Sequence, residues 1–101
     1  MIFARVSGAV VSTKKNDSII GTKYLLTRTC DQKGKPKNEY IVALDLVGAG
    51  TGEVVIIAQG SSSRQAELTH QKPIDAVITG IVDLVEEQGE AVFRKQTDEH
   101  L

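Results

Sequence analysis

The stretch "VGAGTGEVV", residues 47–55, has the residue types that most resemble a chemical site. Gly48, Gly50 and Gly52 alternate between two apolar runs, and glycine-rich turns can present backbone N–H groups to phosphates. A dinucleotide loop, however, needs G-x-G-x-x-G leading into a helix, and a P-loop needs Lys followed by Ser or Thr. Here the spacing is G-x-G-x-G and a β-branched run follows. The pattern therefore predicts a tight connection between strands, in which glycine supplies positive φ or allows close backbone approach.

The other potential catalytic groups are scattered along the chain. In "GSSSR", residues 60–64, Arg64 occupies the position where the nucleophile-elbow motif G-x-S-x-G requires glycine. His70 and His100 have no neighbours that suggest a triad or metal-ligand spacing. The single cysteine, Cys30, ends an apolar run and is expected to be a small buried residue. We therefore predict no catalytic residue, no cofactor and no metal.

Three aspartates lie within or beside apolar runs, namely Asp45, Asp75 and Asp83. They could be paired catalytic carboxylates. Alternatively, they could accept hydrogen bonds from the backbone or from arginines at an interface, the candidate donors being Arg5, Arg28 and Arg64. The second interpretation is favoured because the sequence offers no other acid–base partner.

Length and composition indicate a single domain over residues 1–101, with a loose tail at about 97–101. The formal net charge of −1 gives no reason to expect nucleic acid or an anionic membrane as partner. One cysteine cannot form an internal disulfide. We see no signal peptide and no apolar run near the roughly 20 residues of a membrane span, so we expect a cytoplasmic protein.

Alternating or β-branched apolar patterns predict about six strands, in the segments 1–12, 22–30, 39–47, 53–60, 73–87 and 91–96. The segment 73–87 also fits helical spacing. Its β-branched residues, the central Gly80 and the hairpin pattern that follows favour strand. A short helix is expected at most between residue 61 and Pro73. The sum is an all-β fold, most simply a small closed or nearly closed barrel.

Strands 3, 4 and 5 of this prediction are apolar on both faces. A small antiparallel barrel in water should instead alternate between apolar and polar residues. The second apolar face must therefore be covered, and on so short a chain we expect a partner subunit to cover it.

Four segments in this order resemble the EutN/CcmL family of bacterial microcompartment shell vertex proteins: "ARVSGAVVST", "VGAGTGEVV", "GSSSR" and "PIDAVITGIVD". The resemblance extends over nearly the whole chain, and GAG-x-GE followed by GSS-x-R is its most distinctive part. Ser63 stands where family members often carry alanine. The compartment subtype, whether carboxysome or metabolosome, stays open.

The resemblance implies an OB-like β-barrel of about five to six strands with at most one short helix. It further implies a homopentameric ring that caps the vertices of a polyhedral shell in the bacterial cytoplasm and contacts hexameric shell proteins, without catalysis. On this basis one group of residues is expected at the subunit interface or ring axis: Gly48, Ala49, Gly50, Gly52, Glu53, Ser61, Ser62 and Arg64.

The alternative hypothesis is an OB-fold module that binds single-stranded nucleic acid. Such modules combine stacked aromatic side chains with a basic groove. This chain has two Phe, two Tyr, no Trp and no net positive charge. The composition therefore weighs against this alternative without excluding it.

Overall fold

The computed structural model describes residues 1–11, 23–60 and 76–95. These residues form seven strands: β1 (Ile2–Val10), β2 (Lys23–Cys30), β3 (Pro36–Asp45), β4 (Val54–Gln59), β5 (Ala76–Ile81), β6 (Leu84–Glu87) and β7 (Glu90–Arg94). The short helix expected before Pro73 and the tail at 97–101 lie outside the described residues. Within those residues, no helix is long and apolar enough to cross a membrane.

Five strands close into a barrel in the order β1-β2-β3-β5-β4. All neighbours are antiparallel except β3 and β5, which run parallel and pair, within the described residues, at Leu44 with Val77 and at Asp45 with Ile78. The remaining two strands form a separate antiparallel sheet, β6-β7. The predicted all-β barrel is confirmed.

Small and β-branched side chains fill the barrel interior. They alternate with outward-facing residues along each strand, as the two-residue period requires. Two polar side chains of β2, Thr27 and Thr29, are buried with them. The Thr27 hydroxyl donates to the carbonyl of Ile41 at 2.8 Å and is thereby satisfied, whereas the Thr29 hydroxyl has no hydrogen-bond partner among the described residues. The main cluster consists of Ala4, Val6, Leu25, Ala43, Ala49, Val55, Ile57, Ala76 and Ile78.

Strand β1 does not keep one face along its length, as strict alternation from Ile2 to Val10 would require. Its register with β2 shifts between Val6 and Gly8. Val6 pairs with the inward-facing Thr27, whereas Gly8 pairs with Leu26 on the opposite face. Such a bulge inserts one residue and reverses the faces beyond it.

The single strand predicted over 73–87 is wrong in its continuity, because it divides at Val82 and Asp83. The N–H of Val82 donates to the carbonyl of Val54 at 2.8 Å, which ends the pairing with the barrel. Beyond this point the chain forms the predicted hairpin. Its two turn residues, Gln88 and Gly89, both have positive φ, 54° and 84°, as favoured two-residue hairpin turns demand.

The C-terminal hairpin, β6-β7, packs on the outside of the barrel. Val85 and Phe93 contact an apolar cluster that contains Phe3, Val54 and Ile56. Part of the second apolar face is therefore covered by the chain itself and not by a partner subunit. This qualifies the expectation that only a partner would cover it.

Candidate functional site

Strand β3 ends at Asp45 because its carboxylate binds the loop that follows. The carboxylate accepts hydrogen bonds from the N–H groups of Val47 at 3.1 Å, Gly48 at 3.1 Å and Ala49 at 3.1 Å. Short polar side chains can in this way replace ladder bonds and start a turn. Asp45 is buried and serves the backbone of its own chain, which is one of the two roles considered for it.

The same hydrogen bonds decide whether the glycine-rich loop can hold a phosphate. A phosphate cradle needs free backbone N–H groups. Here the N–H of Gly50 donates to Glu53 Oε1 at 2.7 Å, and the N–H of Gly52 donates to the carbonyl of Val6 at 2.9 Å. Asp45 already uses the N–H groups that precede them. The N–H groups that a phosphate would need already donate to the carboxylates of Asp45 and Glu53 and to a carbonyl. This geometry disfavours the phosphate-loop alternative.

The three loop glycines have different reasons to be glycine. Gly48 and Gly52 have φ of 76° and 92°, in the region that residues with a Cβ rarely adopt. Gly50 has no such φ, and a Cβ built on it would meet only Glu53 Oε1, at 3.6 Å. In the single chain, Gly50 is therefore the one of these three glycines that could be replaced by a residue with a side chain.

The remaining predicted interface residues are distributed differently. Ala49 is 3% exposed and packs in the barrel core, so its methyl group supports the loop from inside. Glu53 is partly exposed beside the loop. The other three predicted residues, Ser61, Ser62 and Arg64, lie outside the described residues, so the structure does not test whether they meet the loop.

Glu53 joins the loop to the C-terminal hairpin. Its carboxylate forms an ion pair with Lys95 Nζ, 2.5 Å away. The hydrogen bond to Lys95, followed by that from the Gly50 N–H, lowers the pKa of Glu53 from its ordinary value of 4.5. The same hydrogen bond raises the pKa of Lys95 above 10.5. The ion pair links two parts of the chain that lie far apart in sequence.

Arg5 forms a second link of this kind. It donates to the carbonyls of Gly52 at 2.8 Å and Gly34 at 3.2 Å, and its guanidinium lies 5.9 Å from the centroid of the Phe93 ring. A charged donor on a carbonyl forms a stronger hydrogen bond than a neutral one. A groove of about 660 Å³ between the glycine-rich loop and β7 is bordered by Arg5 and Lys95. Arg5 and Lys95 thus connect the two sides of this groove, the glycine-rich loop and the C-terminal hairpin.

The other groups considered for chemistry have structural surroundings. Cys30 is buried, and burial raises the pKa of its thiol, which disfavours the reactive thiolate. Arg28 donates to the carbonyl of Lys37 at 2.7 Å, and Asp83 lies 3.8 Å from Lys95 Nζ. His70, Asp75 and His100 lie outside the described residues. Within the part of the chain that the structure describes, no group of three or more potential metal ligands is found.

Sequence reasoning missed Lys95 and the carbonyl contacts of Arg5. Both residues act across long sequence separations, and neither belongs to a local pattern. The one feature of the sequence that could have indicated these contacts is the position of both charged residues next to apolar strand residues. Such placement is usually read as a solvated strand face.

The barrel, with its stabilised loop and docked hairpin, has the features of a structural or binding module. The family model described as "Ethanolamine utilisation protein EutN/carboxysome" matches residues 1–83. The chain belongs to this family, EutN/CcmL.

Three relatives show how far the similarity extends. The carboxysome shell vertex protein CcmL of Gloeobacter violaceus is 41% identical over 95% of this chain and 96% of that protein. Its solved structure gives a TM-score of 0.85 over 94% of this chain and 98% of that one. The microcompartment shell vertex protein EutN of Escherichia coli K12 is 39% identical over 94% of this chain and its own full length.

The third relative is known from a solved structure. GrpN of Rhodospirillum rubrum, described as a pentameric microcompartment shell protein, is 47% identical, with a TM-score of 0.75 over 86% of this chain and 99% of that one. The similarity therefore covers the barrel and nearly the whole length of each relative.

Proposed function

We propose that this protein is a structural shell vertex protein of a bacterial microcompartment, forming homopentamers that cap the vertices of the polyhedral shell. The observation that carries the proposal is the match to a pentameric shell protein at 47% identity, over 86% of this chain and 99% of that one. The vertex role is supported further by the names of the carboxysome and ethanolamine relatives. The shell in question lies in the bacterial cytoplasm.

The proposed role is architectural and not enzymatic. A sheet of flat hexameric tiles cannot close by itself, and five-fold units at its vertices supply the missing curvature. Hexameric shell proteins are therefore the expected partners. The candidate catalytic groups that the structure describes are engaged in holding the fold, such as Asp45 on the backbone of its loop.

Single-stranded nucleic acid is not the partner we propose. Nucleic-acid-binding barrels stack bases on exposed aromatic rings. Of the four aromatic side chains, Phe3 and Phe93 pack between the barrel and the hairpin, and Tyr24 packs against a buried cluster. Tyr40 is the largely exposed one. One exposed ring is a poor stacking platform.

Shell assembly tests the proposed function. Hexameric shell proteins produced with this chain should form closed polyhedral particles in electron micrographs. The same proteins produced without it should form sheets, tubes or particles with open vertices. Identical particles in both cases would contradict the vertex role.

A further inference from the structure

An apolar surface, which we call the β3 surface, is open on one side of the barrel. It consists of Leu26, Tyr40 and Val42. Leu26 pairs directly with Val42, and Tyr40 is two residues away on the same face of β3. Tyr40 and Val42 are 56% and 50% exposed. Large apolar side chains grouped in this way on a strand pair typically mark an interaction site.

The β3 surface adjoins a strand edge that has no partner strand among the described residues. Strand β3 pairs there with β5 through Leu44 and Asp45. Toward β5, the preceding residues 36–43 have no strand partner among the described residues. Exposed edges beside apolar surfaces tend to associate with other chains, and natural sheets are usually protected from this by charge or by a cover.

A second apolar surface, which we call the hairpin groove, lies between the barrel and the C-terminal hairpin. This groove of about 580 Å³ is lined by Phe3, Ile56, Ile81, Leu84 and Val85, among others. Leu84 at its rim is 45% exposed. The groove is concave, whereas Tyr40 on the β3 surface projects outward.

The two surfaces lie on different sides of the molecule. Going round the barrel in the order β1-β2-β3-β5-β4, the β2–β3 pair is opposite β4, which carries Ile56 in the hairpin groove. A two-fold dimer uses one surface twice, whereas a ring joins two different surfaces head to tail. One projecting and one concave apolar surface are what a head-to-tail contact requires.

The charges at the borders of the two surfaces also fit. The hairpin groove is edged by Asp83 and Glu86, both exposed. Arg28 borders the β3 surface, with its guanidinium 5.5 Å from the centroid of the Tyr40 ring, and Lys37 is exposed nearby. Complementary charges at the rim of an interface orient the partners and suppress wrong pairings.

We infer that the β3 surface of one copy packs into the hairpin groove of the next copy, so that these two surfaces form the ring interface. The inference rests on the proposed function, because a pentamer needs one such contact repeated five times. Tyr40 is the anchor, since aromatic side chains seated in desolvated pockets dominate interface energetics. The C-terminal hairpin then serves both as cover for its own barrel and as receptor for its neighbour.

Mixing two variants tests this arrangement. Val42→Asp damages the β3 surface alone, and Leu84→Asp damages the hairpin groove alone. Each purified variant should give the monomer mass by native mass spectrometry. Mixed in equal amounts, they should form a one-to-one heterodimer and stop there, because one intact β3 surface meets one intact groove. Val11→Asp, at an exposed apolar residue outside both surfaces, should assemble as the parent does.

The outcomes separate the interface from the function. A parent that is itself monomeric contradicts the proposed function. If the parent forms a ring and either Asp variant forms it equally well, the surface assignment is wrong although the vertex role stands. Loss of rings in Val11→Asp as well, or homodimers of either variant, also overturns the assignment. If a variant loses its β-sheet circular dichroism, Val42→Thr and Leu84→Gln replace the pair, with at least tenfold weaker assembly expected of each alone.

Discussion

At the scale of single residues, Asp45 holds the backbone of the loop through several hydrogen bonds at once. Its buried carboxylate accepts hydrogen bonds from three successive N–H groups, that of Ala49 among them in the barrel core. A buried donor that loses its partner costs about 1–3 kcal/mol. The conformation of the first part of the loop, residues 47–49, therefore depends on this side chain.

We expect Asp45→Ala to lower the free energy of unfolding by about 2–3 kcal/mol, since several N–H groups lose their acceptor together. Urea denaturation at one fixed protein concentration measures this, because assembly itself stabilises the fold. Glu90→Ala, at an exposed residue outside both proposed contact surfaces, is the control and should stay within about 0.5 kcal/mol of the parent, as exposed substitutions usually do. Equal effects of the two substitutions would contradict the role given to Asp45.

Gly50 allows the predicted role of the loop to be tested apart from folding. Its φ is not positive and a Cβ has room in the single chain. Gly50→Val should therefore leave the barrel folded and should reduce the fraction of protein in rings, measured by native mass spectrometry. If the variant forms rings as readily as the parent, Gly50 does not lie at a subunit contact.

Gly52→Val is the informative comparison for Gly50→Val. Gly52 has a φ of 92°, so a side chain there is strained in the chain itself, by more than about 1 kcal/mol. Its variant should lose thermal stability in the monomer as well. The two glycines, two positions apart in the sequence, separate a folding requirement from an assembly requirement.

At the scale of elements, the C-terminal hairpin depends on contacts to distant parts of the chain. Phe93 packs against the barrel and under Arg5, and Lys95 binds Glu53. The pKa of Glu53 is lowered, so its contribution to stability is complete above its ordinary pKa of 4.5 and is lost as the pH falls through the lower, folded-state value. The raised pKa of Lys95 places the corresponding loss at high pH, above 10.5.

We expect the stability difference between the parent and Glu53→Gln to be constant from neutral pH down to about the ordinary pKa of a glutamate, 4.5. Below it the difference should shrink as the parent carboxylate takes up its proton. Thermal denaturation of both proteins across this range measures the difference. Comparison with the variant removes the parallel effect of Asp31, whose pKa is also lowered, by the N–H groups of Lys35 and Lys33. A difference independent of pH would show that the ion pair does not fasten the hairpin.

Local patterns were enough to predict much of the fold. Alternation and β-branching indicated the strands, and Gln88-Gly89 between apolar runs indicated the hairpin. The bulge after Val6 could not be predicted, because the two-residue period continues through it in the sequence. The division of the predicted strand 73–87 at Val82 and Asp83 could not be predicted either, because it depends on where the pairing with β4 ends.

The candidate site was less predictable than the fold. The unusual backbone of Gly48 and Gly52 follows from glycine chemistry and was anticipated. The anion held by the loop was not: the acceptors are Asp45 and Glu53 from the chain itself. The contacts of Arg5 with Gly52 and of Lys95 with Glu53 join residues more than 40 positions apart in sequence, and no local pattern encodes such a pairing.

At the scale of the whole molecule, the feature to explain is that two apolar surfaces of the barrel are exposed to solvent. The C-terminal hairpin covers one part of the outer face, while Tyr40, Val42 and Leu84 stay exposed. A monomer gains nothing from exposing them to water. A ring that buries one surface against the other accounts for both.

The most direct test is the mass of the assembled protein. Native mass spectrometry at micromolar concentration should show a discrete species of five copies of the 10.9 kDa chain. A stable monomer under the same conditions would contradict the account, because neither the vertex role nor the head-to-tail contact exists without a ring.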